Sequence, residues 1–198
     1  MKKNIASEGA GNEYTDWTTP GWLVDGLVDY WPELIAWSNH VPILEPEAGG
    51  GAIVKALVAR GAQVEAIEVR DTRTQLKEAG ACRVAIGDFL KCRPVDRRYW
   101  FTVVMNPPFR PAPIMLAHVR RALEMTRGFV ACLLPLSFLS GGNGRREFWV
   151  DAPPLTQLLF FDHRPKFVGS GGMFEVAWFI WAEGHCARPT SIIRKPRE

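Results

Sequence analysis

The sequence predicts a single-domain α/β fold with a mostly parallel seven-stranded sheet, helices on both faces of the sheet and an antiparallel final strand. Short apolar runs alternate along the chain with segments whose apolar residues recur at helical spacing. One run, 128–136, is apolar almost throughout, which is typical of a central strand covered on both faces. The last two runs can form a hairpin, and the final strand would then lie antiparallel to its neighbour.

The elements are assigned in chain order from this pattern. The predicted strands cover 41–44, 63–69, 82–86, 100–105, 128–136, 155–161 and 174–181. Predicted helices cover 52–60, 71–80, 113–126 and 145–149, and another begins at Pro20. Thr19 can cap that first helix, and Pro20 fits its first turn. Its apolar positions are Leu23, Leu27, Tyr30 and Trp31.

Length and composition are those of a globular protein. The chain has 198 residues, of which 47% are apolar and 23% are charged, and this length suits one domain. No apolar run approaches the roughly 20 residues of a membrane span, and the first residues lack the apolar segment of a signal peptide. We therefore expect a cytoplasmic protein. We divide it into a disordered start, 1–13, a folded domain, 14–185, and a polar tail, 186–198.

Charge and the histidine and cysteine residues indicate which partners and metal sites the sequence predicts. The net charge of +3 permits a nucleic-acid partner without requiring one. None of the four histidines has a ligand partner in the sequence, so no metal site is predicted. The cysteines lack C-x-x-C spacing and are expected to be reduced thiols; they are Cys82, Cys92, Cys132 and Cys186.

A stiff motif, Asn106-Pro107-Pro108-Phe109, follows the fourth predicted strand. Its two prolines prevent a helix from starting there. Asn106 offers a side-chain carbonyl, Pro107 a backbone carbonyl and Phe109 a flat apolar face. The carbonyls can accept both hydrogens of an exocyclic amine while the phenyl ring stacks on the base that carries it. The alternative is a proline-rich turn without a chemical role.

The first three predicted strands end in residues suited to an adenosine. The first leads into a glycine turn, 45–51, whose glutamates suit a cationic ligand better than a pyrophosphate. Glu68 ends the second strand, where such folds place a carboxylate on a ribose. Asp88 and Phe89 follow the third strand and can bind an adenine amine and ring face. Because parallel strands share one carboxyl edge, we expect these residues to lie together with Asn106.

This set of motifs resembles the S-adenosylmethionine-dependent amino-methyltransferases, specifically the DNA adenine methyltransferases of phage and restriction-modification type. The resemblance covers about 14–181 and follows the gamma order, with the cofactor motifs before the catalytic one. It implies a Rossmann-like class I methyltransferase fold for 14–185, with S-adenosylmethionine as cofactor and no metal. The implied catalytic residues are Asn106, Pro107, Pro108 and Phe109. The implied cofactor-binding residues are Thr18, Thr19, Pro20, Glu45, Pro46, Ala48, Gly49, Gly51, Glu68, Asp88, Phe89 and Asn106.

The resemblance also implies the acceptor, which is the N6 amine of an adenine flipped out of duplex DNA. Two residues depart from the family pattern, since Glu47 and Gly50 stand where its members usually carry small or hydroxyl side chains. We find no stretch large enough for a separate target-recognition domain, so relaxed or short sequence specificity is expected unless a partner protein reads the sequence. Candidate phosphate contacts are Arg110, Arg145, Arg146, Arg164 and Lys166, although any one of them can equally be a solvated surface charge.

Two other functions fit the same residues. The amine-holding motif also serves RNA adenines and glutamine side chains of proteins, which would change the acceptor but not the chemistry. A chain that kept the fold and bound S-adenosylmethionine without transferring its methyl group would be a non-catalytic binding module.

Overall fold

The protein is described from a computed structural model, which covers residues 18–92, 100–140, 142, 144–167 and 175–196. Its strands are β1 Ile43–Glu45, β2 Val64–Glu68, β3 Arg83–Ile86, β4 Trp100–Met105, β5 Thr126–Pro135, β6 Gln157–Phe161, β7 Val176–Ala182 and β8 Ser191–Ile193. Its helices are α1 Gly21–Tyr30, α2 Glu33–Ser38, α3 Ala52–Ala59, α4 Arg73–Glu78, α5 Ala112–Met125 and α6 Arg145–Asp151. Short 3-10 turns cover Phe89–Lys91 and Leu136–Leu139.

The strands form one mixed sheet in the order β3-β2-β1-β4-β5-β7-β6-β8. The neighbouring strands β1 to β5 are parallel, and β8 is parallel to β6. Strand β7 is antiparallel to both β5 and β6. Every residue of β1, β2 and β7 is buried, because helices and loops cover both faces of the sheet there. The predicted α/β class and mostly parallel sheet are confirmed.

The strand order places a crevice between β1 and β4. The chain runs outward from β1 to β3 and then returns to β4 on the other side of β1. In open parallel sheets, the carboxyl edge at such a reversal is where ligands bind, because the connections on either side diverge. A functional site is therefore expected at this edge.

Two features of the sheet differ from the sequence-based expectation. Within the described residues, the sheet has eight strands rather than seven, and the antiparallel strand is the seventh rather than the last. The additional strand β8 lies inside 186–198, the segment expected to be a polar tail. Its apolar part is only two residues long, too short to show a periodicity. In the structure, Ile193 is 4% exposed and Ile192 is 57% exposed, which is the alternation of a half-buried strand.

Smaller differences lie at the connections. Helix α2 was not predicted, because it is only six residues long and Pro32 separates it from α1. Tyr30, assigned to the apolar face of α1, is 37% exposed, and its hydroxyl donates to the Ile192 carbonyl. The expected disordered start, 1–13, and part of the basic loop predicted at 164–172 lie outside the described residues.

Helix α1 is held on the sheet by two buried indoles. The Trp178 ring on β7 donates a 2.8 Å hydrogen bond to the Leu23 carbonyl. The Trp31 ring, just beyond the helix, donates a 2.8 Å bond to Gln157 on β6. Buried indole N–H groups are costly to leave unbonded, so these bonds fix the helix orientation. The segment Thr18 to Pro20, which precedes α1, is thereby held near the crevice.

The packing of α1 on β8 can be tested at Gly26. A Cβ added there would lie 2.3 Å from Ile193 Cγ2, so Gly26→Ala should lower the free energy of unfolding by about 1–3 kcal/mol through overpacking. Urea or thermal unfolding measures the change. Gly21→Ala in the same helix is the control, because the nearest atom to its added Cβ is 4.0 Å away.

The matched double variant separates overpacking from a general intolerance of alanine. Ile193→Ala should destabilise the Gly26→Ala protein less than it destabilises the wild type, because the truncation relieves the overpacking. An unchanged unfolding transition in Gly26→Ala alone would contradict the contact between α1 and β8.

Candidate active site

Four polar side chains lie along the carboxyl edge of the parallel strands. Glu45 is the last residue of β1 and Glu68 the last of β2. Asp88 follows the end of β3, and Asn106 directly follows β4. Because these strands are hydrogen-bonded neighbours, the structure brings the four residues to one edge, where the sequence analysis placed them.

The glycine turn after β1 depends on Glu68. Its Oε2 accepts a 2.7 Å hydrogen bond from the Gly49 N–H, and its Oε1 accepts bonds from the backbone N–H and Nε of Arg70. Gly51 has a φ of 85°, and a Cβ there would lie 2.8 Å from the Ala79 side chain. Glu68 thus braces the turn, a role that the sequence did not indicate. Its free lone pairs still leave room for a ribose hydroxyl.

Glu45 is a carboxyl group buried at the base of the turn. Its side chain accepts a hydrogen bond from the Val54 N–H at the start of α3, while its Oε2 has no bonding partner among the described residues. Burial raises the pKa of Glu45 well above its usual value, and the charges of Glu47 and Glu68 raise it further. The edge therefore holds an incompletely bonded acid group that a cationic or hydrogen-donating ligand would stabilise.

Glu47 and His118 lie close together beside this acid group. Both Glu47 carboxyl oxygens are buried without a hydrogen-bond partner in the described part of the chain, and Oε1 is 3.4 Å from His118 Nε2. Burial raises the pKa of Glu47, with further contributions from the charges of Glu68 and Asp88. The sequence gives His118 no role, because no spacing rule links α5 to the glycine turn.

Asp88 and Phe89 form a short capped turn. The Asp88 carboxylate accepts a 3.0 Å bond from the Leu90 N–H and lies 3.3 Å from the Lys91 ammonium. The Phe89 ring is 2% exposed and stacks on the His118 ring, with centroids 6.3 Å apart. It offers little free surface in this conformation, so its stacking on an adenine stays a prediction.

Asn106 is oriented by the segment before α1. Its Nδ2 donates a 3.0 Å hydrogen bond to Thr19 Oγ1, and its Oδ1 is buried without a bonding partner among the described residues. Thr19 does not cap α1 as expected, since the cap position is Pro20, which makes no side-chain cap bond. The amide is thus held at its nitrogen while its carbonyl is left able to accept a hydrogen bond.

The rest of the proline motif is less open than the sequence suggested. Phe109 is 8% exposed and meets Phe167 edge to face, with centroids 6.4 Å apart. Pro107 is buried and Pro108 is half-buried. Stacking of Phe109 on a flipped base therefore requires the two rings to separate, and that role stays a prediction.

The predicted phosphate-binding residues differ in their surroundings. Arg164 pairs with Glu175, and Arg145 Nε donates a 3.2 Å bond to the Gly142 carbonyl, so both are partly satisfied within the protein. The other three candidates, Arg110, Arg146 and Lys166, have exposed side chains.

Metal-ligating clusters, cysteines and membrane spans are the remaining features on which the sequence makes a prediction. No cluster of three or more metal-ligating side chains occurs in the described ranges, and the four cysteines are unpaired. No helix in those ranges is long and apolar enough to cross a membrane.

The fold matches solved methyltransferase structures, although neither a protein-family model nor a curated protein sequence matches this chain. A proposed RNA methyltransferase from Pyrococcus horikoshii superposes with a TM-score of 0.63 at 19% identity, over 84% of this chain and 87% of that one. A proposed class I S-adenosylmethionine-dependent methyltransferase from Listeria monocytogenes superposes with a TM-score of 0.65 at 13% identity, over 89% of this chain and 65% of that one.

A larger protein shares the fold as well. The modification subunit of a proposed type I restriction enzyme from Vibrio vulnificus gives a TM-score of 0.68 at 11% identity, over 94% of this chain. The chain spans 49% of that subunit's length. The fold is therefore that of the class I methyltransferases, in a single Rossmann-like domain.

The buried acid at Glu45 predicts a pH-dependent stability. Because its folded-state pKa lies above the unfolded value of about 4.5, the contribution of Glu45 to stability is fully present below that value and is lost as the pH rises through the folded-state pKa. Glu45→Gln cannot ionise, so it should melt several degrees higher than the wild type at about pH 8 and at a similar temperature at about pH 5. Differential scanning calorimetry measures both transitions.

The control for this prediction is Glu124→Gln, whose side chain is 65% exposed on α5. It should leave the melting temperature unchanged at both pH values. A Glu45→Gln protein that melts below the wild type at about pH 8 would contradict the proposed burial of an uncompensated carboxylate.

Proposed function

We propose that the protein transfers a methyl group from S-adenosylmethionine to the N6 amine of adenine in DNA. The observation that carries the proposal is the state of Asn106, whose amide nitrogen is bonded to Thr19 while its buried carbonyl oxygen has no partner among the described residues. An unpartnered buried acceptor is costly, and an amine hydrogen is the partner that would satisfy it.

The cofactor fits the charge of the crevice. S-adenosylmethionine carries a sulfonium and an ammonium group, and Glu45 and Glu47 supply buried acid groups beside the glycine turn. Glu68 would accept from the ribose, and Asp88 from the adenine amine. The remaining residues that we assign to the cofactor are Thr18, Thr19, Pro20, Pro46, Ala48, Gly49, Gly51, Phe89 and Asn106. When bound, the cofactor supplies an electrophilic methyl group.

The acceptor amine would be held by two carbonyls. Asn106 Oδ1 and the Pro107 backbone carbonyl would each accept one amine hydrogen. The Asn106 amide is held at its nitrogen by Thr19, so its oxygen stays in position. Proline has no N–H that could occupy either carbonyl. Accepting both hydrogens draws the nitrogen lone pair out of conjugation with the ring and aims it along one direction. Pro108 keeps the motif extended, and Phe109 would stack on the base. Positioning and polarisation then provide most of the rate increase.

DNA is the proposed acceptor, in a restriction-modification or phage setting in the cytoplasm. The structural relative from Vibrio vulnificus is described as a modification subunit of a restriction enzyme, which supports this choice. Flipping the adenine out of the duplex would bring its amine to the edge of the sheet. Exposed Arg110, Arg146 and Lys166 would contact phosphates, and Arg145 and Arg164 would do so after changing partners. Specificity would be short or relaxed.

A second acceptor has one observation in its favour. The structural relative from Pyrococcus horikoshii is described as a proposed RNA methyltransferase. The same amine-holding carbonyls would serve an adenine in RNA, and the exposed arginines would bind either backbone.

Methyl transfer tests the proposal directly. The protein is incubated with labelled S-adenosylmethionine and unmethylated duplex DNA, and digested nucleosides are identified by mass spectrometry. N6-methyladenine is expected, and Asn106→Ala should reduce the rate by about a hundredfold or more while leaving thermal stability close to that of the wild type. Methyl transfer to RNA alone would favour the second acceptor. Cofactor binding without transfer to any acceptor would indicate a binding module.

Thr19 offers a matched pair of variants for the same assay. Thr19→Val removes the hydroxyl that holds Asn106 Nδ2 and should lower the rate about tenfold, because the amide can then turn its carbonyl away. Thr19→Ser keeps the hydroxyl and should stay within about threefold of the wild type. Equal rates for the two variants would exclude the hydrogen bond from the mechanism.

A further inference from the structure

His118 has a defined tautomer. Its Nδ1 lies 2.8 Å from the Ile114 carbonyl, one turn earlier on α5. A carbonyl oxygen only accepts, so Nδ1 carries the hydrogen of this bond. In the neutral ring, Nε2 is therefore a bare acceptor.

That acceptor faces another acceptor. Glu47 Oε1 is 3.4 Å from His118 Nε2, and both carboxyl oxygens of Glu47 are buried with no other hydrogen-bond partner in the described ranges. A carboxylate and a bare imidazole nitrogen repel one another, whereas one proton between them turns the contact into a hydrogen bond. A small movement of either side chain would bring the two atoms to hydrogen-bonding distance.

The pair lies where three parts of the proposed site meet. Glu47 belongs to the glycine turn, and the His118 ring stacks on the Phe89 ring at an interplanar angle of 24°. Helix α5, which carries His118, begins three residues after Phe109. The same helix also bonds the residue after the Phe89 turn, since the Arg121 guanidinium donates to the Cys92 carbonyl. A displacement of His118 would therefore also displace the Phe89 ring.

We propose that Glu47 and His118 share one proton and act as a positioning pair that sets the Phe89 ring against the cofactor's adenosine. This inference rests on the proposed function in taking Phe89 as part of the adenosine site. It gives a role to Glu47, a residue that departs from the pattern of the resembling family.

The surrounding charges favour a proton on Glu47. Burial raises the pKa of Glu47, and the neighbouring charges of Glu68 and Asp88 raise it further. Burial lowers the pKa of His118, against smaller opposing effects of the Ile114 carbonyl and Asp88. Glu45 also faces Glu47, and burial raises its pKa as well. The Cys132 thiol stays protonated near neutral pH, because burial and Glu47 raise its pKa. The neutral pair is a protonated carboxyl that donates to Nε2.

A glutamine reproduces the protonated carboxyl permanently. Its amide can donate to His118 Nε2 at any pH, and it has nearly the shape of the acid. Glu47→Gln should therefore keep the position of the ring but lose its pH dependence. His118→Phe keeps a ring against Phe89 but removes the proton acceptor, so it leaves the Glu47 carboxyl unpaired.

The first readout needs no ligand. Nitrogen-15 spectra of the four histidines, with His118 assigned by its loss in His118→Phe, report the protonation of each ring nitrogen. Nδ1 of His118 should be protonated throughout the range from about pH 6 to about pH 9, and Nε2 should change its shift as the shared proton leaves. In Glu47→Gln the pH-dependent change in the Nε2 shift should be absent or should occur at a different pH. Identical His118 titrations in the two proteins would overturn the shared proton.

The second readout uses 5′-methylthioadenosine, which carries the adenosine part of the cofactor without its charges. Its affinity for the wild type should fall about five- to tenfold as the pH is raised and the shared proton leaves, the loss expected for one buried hydrogen bond. Its affinity for Glu47→Gln should stay constant. Thermal unfolding checks that each variant is folded.

The outcomes separate the two proposals. Equal pH profiles for wild type and Glu47→Gln, with binding intact, would overturn the positioning pair and leave the proposed function standing. A coupled His118 titration in a protein that binds neither 5′-methylthioadenosine nor S-adenosylmethionine would overturn the role at the adenosine site together with the proposed function.

Discussion

The structure depends on the burial of several hydrogen-bond acceptors at one edge of a parallel sheet. Glu45, Glu47 and Asn106 each bury at least one oxygen without a partner among the described residues. A buried acceptor without a partner costs about 1–3 kcal/mol, and two neighbouring acid groups raise that cost through their mutual repulsion. A fold retains such groups only where the surrounding packing holds them in place, and here the buried strand β1 and the buried last four residues of β4 do so.

The scaffold compensates for this cost through contacts made elsewhere. Trp178 and Trp31 bond across the core and fix α1, and the residue just before α1, Thr19, then holds the amide of Asn106. On the other side of the crevice, Glu68 braces the glycine turn through the Gly49 N–H. The acceptors that lack a partner among the described residues are thus held in place by neighbours that are bonded within the protein, which is the arrangement expected of a preorganised polar site.

The sequence was sufficient for the fold class and for bringing the candidate residues to one edge of the sheet, because both follow from local patterns. Apolar runs and helical periodicity give the parallel sheet, and strand ends give its polar edge. It was not sufficient for β8, whose two apolar residues carry no period, or for contacts between distant segments. The bond of Thr19 to Asn106 joins residues 87 positions apart, and His118 meets Glu47 only after α5 has folded against the turn. The burial of Phe89 and Phe109 likewise depends on His118 and Phe167, which no local pattern could identify.

We propose that the buried acid groups at the carboxyl edge select a cationic adenosine derivative. Calorimetric titration with S-adenosylmethionine and with ATP tests this selection, because the two ligands share adenosine and differ in the sign of the charge that follows it. We expect saturable one-to-one binding of S-adenosylmethionine, with a Kd of about 1–100 μM, and no measurable binding of ATP. Binding of ATP as tight as that of S-adenosylmethionine, or no saturable binding of S-adenosylmethionine, would contradict the account.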